Sequence, residues 1–195
     1  MKWFVVLAGV VSAMLVAVPA SAILIQSAST TQGVISITGG GTELVYEAHI
    51  VADPNGDPIM KVIETDGSGG TIPLTELLTI DPGPSLADWH EQLMVFTALG
   101  GWVESPDDDG LYWEWVSVVD PVLPITVSNT GDLASMVWGD PLPPGTSIHI
   151  EKGIVVPAGM QTFAIMEWPT VIPEPATLSL VAAGAVLALL RRRKT

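Results

Sequence analysis

Glu43-Leu44-Val45-Tyr46-Glu47-Ala48-His49-Ile50-Val51 leads, through Ala52 and Asp53-Pro54-Asn55-Gly56-Asp57-Pro58, into Ile59-Met60-Lys61-Val62-Ile63. Both flanking runs are rich in β-branched and aromatic residues that suit a pleated sheet. Between them, Asn55-Gly56 can supply the positive φ of a tight primed turn, so the stretch predicts a β-hairpin. Upstream, Val34-Ile35-Ser36-Ile37-Thr38 reads as a strand ending in Gly39-Gly40-Gly41. Downstream, residues 111–119, 122–128, 147–156 and 161–168 repeat the pattern, each bounded by Pro or Gly clusters. About seven short strands separated by turns predict a mainly β chain with a single β-sandwich, immunoglobulin-like or jelly-roll. A chain of this size buries roughly 70% of its unfolded surface, enough for a core without crosslinks.

One segment departs from the strand pattern. Ser85 to Phe96 opens with a capping-box spacing, Ser85 to Asp88, and places Leu86, Trp89 and Leu93 on one helical face. It is expected to be a short helix, with a strand as the alternative. Gly67-Ser68-Gly69-Gly70 reads as a turn between strands, and no internal repeat is evident.

The net charge is −14 over 195 residues, and its distribution is uneven. Five of the seven basic residues, Lys2, Arg191, Arg192, Arg193 and Lys194, lie at the two ends. Residues 23–172 hold only Lys61 and Lys152 against twenty acidic residues. Such a surface repels polyanions, so nucleic acid is excluded as a partner. The chain has no cysteine, which rules out disulfides, thiolate metal sites and a Cys nucleophile.

Lys2, the apolar stretch from Trp3 to Val18, the breaker Pro19 and Ala20-Ser21-Ala22 have the order of a signal peptide over residues 1–22. Signal peptidase accepts small side chains at Ala20 and Ala22, with the cut after Ala22. At the other end, Pro173-Glu174-Pro175 precedes an uncharged apolar run, residues 176–190, and the basic cluster Arg191, Arg192, Arg193 and Lys194. Fifteen helical residues rise about 22 Å, short of a hydrocarbon core of roughly 30 Å, but the basic side chains can snorkel to the headgroups and complete a transmembrane span. The positive cluster stays in the cytoplasm, which places residues 23–172 outside. Pro173 and Pro175 keep the chain before the helix extended, as a processing cleft requires.

Residues 173–195 resemble the PEP-CTERM sorting signal: Val171-Ile172-Pro173-Glu174-Pro175-Ala176-Thr177-Leu178-Ser179-Leu180, then an apolar helix and an Arg cluster. The resemblance implies recognition of Pro173, Glu174 and Pro175 by an exosortase-type membrane protease. It also implies passage from an inner-membrane intermediate to the outer surface or the polysaccharide matrix of a Gram-negative bacterium. It does not extend to the acidic domain of residues 23–172.

Within that domain several constellations have residue types that can carry chemistry. Asp53, Asn55, Asp57 and Glu64 reproduce positions 1, 3, 5 and 12 of a calcium loop, but position 6, which needs Gly, is Pro58. The hairpin turn already accounts for the spacing. Asp107, Asp108 and Asp109 form a second oxygen-rich loop that would suit calcium, and a solvated turn is the favoured reading. No cofactor is expected. Trp113 and Trp115 alternate along one strand and are expected to share a face with Leu111, as core if buried or as a sugar-stacking pair if exposed. His49, His90 and His149 have no metal-ligand spacing, and no Gly-x-Ser-x-Gly or phosphate loop occurs. The expectation is a non-catalytic structural or adhesive β-domain on the cell surface or in the matrix. The alternatives are a carbohydrate-binding module for exopolysaccharide and an exported hydrolase using a pair such as Asp88 with Glu91 or Glu104 with Asp107. A Ser-His pair or a cleft with converging carboxylates would favour the hydrolase.

Overall fold

The computed structural model describes residues 22–50, 56–120 and 125–172. The expected signal peptide and the Pro173-to-Thr195 segment with its transmembrane helix lie outside the described residues, as do Asp53 and Asn55 of the first calcium-like loop. Among the described residues there are twelve strands, more than the seven expected: β1 Ile25–Thr30, β2 Val34–Thr38, β3 Glu43–Ile50, β4 Ile59–Thr65, β5 Gly70–Ile80, β6 Ser85–Phe96, β7 Trp102–Glu104, β8 Tyr112–Asp120, β9 Ile125–Thr130, β10 Leu133–Leu142, β11 Ser147–Val156 and β12 Thr162–Ile172.

They form two sheets. The first has the order β1-β4-β12-β6-β10-β9, with β7 also paired to β6, and the second has the order β2-β3-β5-β11-β8. One core, including Ile63, Trp89 and Phe163 from the first sheet and Leu44, Leu74 and Ile150 from the second, lies between them in a sandwich-like arrangement. Strict alternation builds this interior, because successive side chains of a strand point to opposite faces. Ile72, Leu74, Leu78 and Ile80 of β5 are buried, as are Ile148, Ile150, Ile154 and Val156 of β11. All ladders are antiparallel except β3–β5, which runs parallel from Leu44↔Leu74 to Ile50↔Ile80.

Three sequence expectations are corrected. First, β3 and β4 do not form a hairpin: β3 pairs with β2 and β5 in the second sheet, β4 with β1 and β12 in the first. A turn signal shows that the chain changes course, not which neighbour it joins. The eight-residue connection 51–58 is long enough to cross the roughly 10 Å between facing sheets.

Second, residues 85–96 are strand β6 and not a helix. Against β12 the pairing jumps from Leu86 to Asp88 while β12 advances by one residue, so Ala87 is the extra residue of a bulge, whereas against β10 the ladder is interrupted on the β10 side, between Val137 and Leu142. Leu86 and Trp89 are therefore both inward despite a spacing of three, and Glu91 and Leu93 follow at regular intervals of two. The bulge produced the apparent helical period.

Third, Trp113 and Trp115 do not share a face. Trp113 pairs with Ile154 and Trp115 with Gly153, so Glu114 is a bulge residue that turns the two indoles to opposite sides. Trp113 is buried beside Leu111, whereas Trp115 is 40% exposed on the outer face. The Trp115 indole lies over Gly153, where an added Cβ would run into the ring.

Candidate functional site

The interior holds five charged residues that are completely buried: Lys61, Glu76, Glu91, Lys152 and Glu167, each 0% exposed. Each occupies an inward position among the apolar side chains of its strand. Lys61 lies between Ile59 and Ile63, Glu76 between Leu74 and Leu78, and Lys152 between Ile150 and Ile154. Glu91 lies between Trp89 and Leu93, and Glu167 follows Phe163 and Ile165 on β12. The only two lysines of residues 23–172 are thus both in the core.

The ion pairs cross from sheet to sheet. Lys61 of β4 contacts Glu76 Oε1 of the opposite sheet and lies 2.5 Å from Glu167 Oε1 of its neighbour β12. Lys152 of β11 lies 2.6 Å from Glu76 Oε2 in its own sheet, and 2.5 Å from Glu91 Oε2 and 3.6 Å from Glu167 Oε1 in the other. Aromatic rings close the site. Lys61 Nζ lies 3.6 Å from the centroid of Tyr46, Lys152 Nζ lies 5.4 Å from that of Trp113, and Trp89 Nε1 donates to Glu91 Oε1 at 3.0 Å.

Two lysines face three carboxyls, and Glu91 stands directly opposite Glu167 in the β6–β12 ladder. Like charges in such a pair are unfavourable, so the excess is relieved by protonation. Burial would raise Glu76, but Lys152 and Lys61 overcome it and hold the carboxyl down at about 2. Burial dominates at Glu91, offset in part by Lys152 and reinforced by Glu76, and pushes it up to about 7. Glu167 is raised well above the ordinary carboxylate range by burial and by the charge of Glu76. Burial disfavours the Lys152 ammonium, yet Glu76, Glu91 and Glu167 outweigh it and raise its pKa. Tyr46 is raised by burial and by Glu167 and Glu76, so its hydroxyl stays protonated and donates to Gln32 O at 3.0 Å.

Oxygens of Glu76, Glu91 and Glu167 lie within 4.8 Å of one another, close enough to serve one cation. Lys61 and Lys152 already place ammonium groups among them, however, so a divalent ion would meet two positive charges. The set fits internal neutralisation better than metal binding.

The sequence-derived candidates lie elsewhere. In the acidic loop, Asp107 and Asp108 are exposed, while Asp109 accepts from Ser105 Oγ at 2.7 Å and from the Leu111 N–H at 2.8 Å, which closes the turn. Asp57 is exposed, two residues before the start of β4. Glu91, considered with Asp88 as an acid pair, points into the core, whereas Asp88 is on the outer face with His90.

That outer face holds a constellation the sequence did not reveal. His90 Nδ1 is 2.9 Å from Ser135 Oγ across the β6–β10 ladder, and His90 Nε2 is 3.1 Å from Asp88 Oδ1. Trp168 stacks on the imidazole with centroids 5.4 Å apart. The residue types are those of a nucleophilic triad, but they stand on the face of a continuous sheet. Ser135 pairs with both His90 and Ser128, so the backbone groups around it belong to the ladders and no pair of N–H donors is left to stabilise an oxyanion. The three residues read as a polar ladder on the sheet surface.

The structure therefore defines a two-sheet β-domain with an ionic centre sealed in its core. Residues 171–194, which begin within the last strand β12, match the PEP-CTERM protein-sorting motif. The chain is thus an exported protein sorted to the cell surface through exosortase processing. No curated protein and no solved structure matches it.

Proposed function

We propose that residues 23–172 are a non-catalytic structural or adhesive domain, delivered as passive cargo to the outer surface or extracellular matrix of a Gram-negative bacterium. The sandwich is of the immunoglobulin-like or jelly-roll kind, modified by the parallel β3–β5 pair. It needs no cofactor. The observation that supports this reading is the placement of five ionisable residues inside the core at 0% exposure, where no substrate can reach them. Their chemistry is directed at the fold itself. A paired Trp platform for sugars is not supported, because Trp113 is buried and the Trp115 indole rests on Gly153 of its own sheet.

In this reading signal peptidase cuts after Ala22, and an exosortase acts at Pro173-Glu174-Pro175 while residues 176–190 hold the chain in the inner membrane. Fractionation with intact-mass measurement tests the route. Wild-type surface material is expected to lack Arg191, Arg192, Arg193 and Lys194, whereas Glu174→Ala stays in the inner membrane with the cluster attached. Retention of the cluster in wild-type surface protein would refute the processing step.

The non-catalytic assignment has its own test. A fluorophosphonate probe, which reacts with activated serines, is expected to leave Ser135 unlabelled. Labelling that disappears in His90→Ala would make the outer face an active site.

A further inference from the structure

The ionic centre contains the reactants for a covalent bond, and its formation would hold whatever the domain binds. We propose that Lys61 and Glu167 become joined by an amide bond between β4 and β12, with Glu76 accepting the proton that the lysine gives up.

Geometry selects these partners. Lys61 Nζ lies 2.5 Å from Glu167 Oε1, and both side chains are 0% exposed. Glu167 Oε2 is buried and has no hydrogen-bond partner among the described residues, so it is the oxygen that can depart. Glu76 is a poor acyl acceptor because both its oxygens face ammonium groups, Oε1 facing Lys61 and Oε2 facing Lys152. That position makes it the base instead. Lys152 is ion-paired to Glu76 and Glu91 and stands 3.6 Å from Glu167 Oε1, a positive charge aimed at the oxygen on which negative charge develops. The Tyr46 ring covers Lys61 Nζ from the other side and keeps water out.

The step balances without any co-reactant. The Lys61 ammonium passes one proton to the Glu76 carboxylate, and the freed Nζ lone pair attacks Cδ of protonated Glu167. The C–N bond forms and the carbonyl electron pair moves onto Oε1. As that pair returns, a second Nζ proton passes to the Oε2 hydroxyl, the Cδ–Oε2 bond breaks and one water leaves. The last proton moves from Glu76 to Glu91, which binds it more tightly because burial raises Glu91 while Lys152 holds Glu76 down. Before the step, two ammonium groups face three carboxyls that share one proton. Afterwards one ammonium faces two carboxyls that share one proton, so the net charge is unchanged and an unpartnered buried oxygen has been removed. Amide formation from an amine and an acid is uphill in dilute water, but two reactants held in contact gain effective molarities of about 10⁵ M or more. The site is also closed to the water that would reverse it.

The location suits an exported chain without cysteine. Glu167 lies four residues before Val171, where the sorting motif begins, so the bond ties the strand next to the processed end to its neighbour β4 in the first sheet. It closes a loop of 106 residues, a length at which a disulfide would also constrain the unfolded chain strongly.

The two-lysine composition gives a direct assay. Full-length protein from the exporting host is denatured and digested with trypsin, which does not cut after an acylated lysine. The expected result is no cleavage after Lys61, cleavage after Lys152 with the two pieces still joined, and an intact mass lower by one water than the processed sequence requires. Fragmentation of the joined species should place the link at Glu167. Cleavage after both lysines into separate peptides of unmodified mass would overturn the proposal. So would a link at Lys152, or one to Glu76. The assay uses wild-type protein, so its outcome does not depend on a variant folding. Its failure would leave the Glu174 processing result untouched.

Discussion

Replacing Lys152 with Met is expected to destabilise the domain by about 3–5 kcal/mol, a large share of the roughly 5–15 kcal/mol that holds a typical domain together. Met preserves most of the apolar stem that packs between Ile150 and Ile154, so the volume loss is small. What disappears is the ammonium 2.6 Å from Glu76 Oε2 and 2.5 Å from Glu91 Oε2, the one cation in contact with both. Glu76 then keeps only Lys61, and Glu91 keeps no ion-pair partner among the described residues. Urea denaturation should show a lower midpoint with an unchanged slope, the mark of a stability change rather than a more compact unfolded state. Adding Glu91→Gln should recover more than half of the loss. It removes the uncompensated carboxyl and retains an oxygen for the Trp89 N–H, 3.0 Å away in the native site. Equal midpoints for wild type and Lys152→Met would mean that the centre contributes nothing as an ionic network.

The ionic centre leaves a signature in the sequence. In Ile59-Met60-Lys61-Val62-Ile63 and in Ile148-His149-Ile150-Glu151-Lys152-Gly153-Ile154, period-2 alternation puts each lysine on the same face as the isoleucines. Glu76 alternates in the same way with Leu74 and Leu78. A charge at an inward position needs an opposite charge at another inward position, so two lysines imply buried acids. Which acids these are depends on β5 and β6 being strands. The Ala87 bulge against β12 gives β6 a helical spacing, and β5 starts directly at the last glycine of the 67–70 turn. Bulges also account for the misplaced Trp pair, because one unpaired residue, Glu114, reverses the facing of everything beyond it. The mainly β class and the sorting motif were legible because both depend on local composition. Sheet membership, as for β3 and β4, depends on long-range pairing that no turn signal encodes.

The same centre predicts an unusual pH profile, with maximal stability near pH 4.5 and a decline toward neutrality. Consider first the acid side. Glu76 is held at about 2 in the folded domain against 4.5 when unfolded, so its contribution is fully present above 4.5 and is lost as pH falls through about 2. Glu91 has the opposite sign. Its folded value of about 7 exceeds the unfolded 4.5, so its contribution is complete below 4.5 and is lost as pH rises through about 7. Each separation corresponds to stability on the order of 3 kcal/mol, at about 1.4 kcal/mol per pH unit. Lys152 supplies the main attraction at both carboxyls, so the two arms persist whether or not Lys61 is amide-bound. Melting temperature should therefore fall from pH 4.5 through 7, with the raised Glu167 adding to the decline in the same sense, while ordinary domains are most stable between roughly pH 5 and 8. Glu91→Gln should reduce this decline to the part carried by Glu167 without altering the acid arm. A wild-type profile that is flat or rising from pH 4.5 to 7 would show that Glu91 stays ionised in the core. The extra carboxyl of the centre would then have to be neutralised at Glu167 alone, the residue from which the amide bond takes its carbonyl.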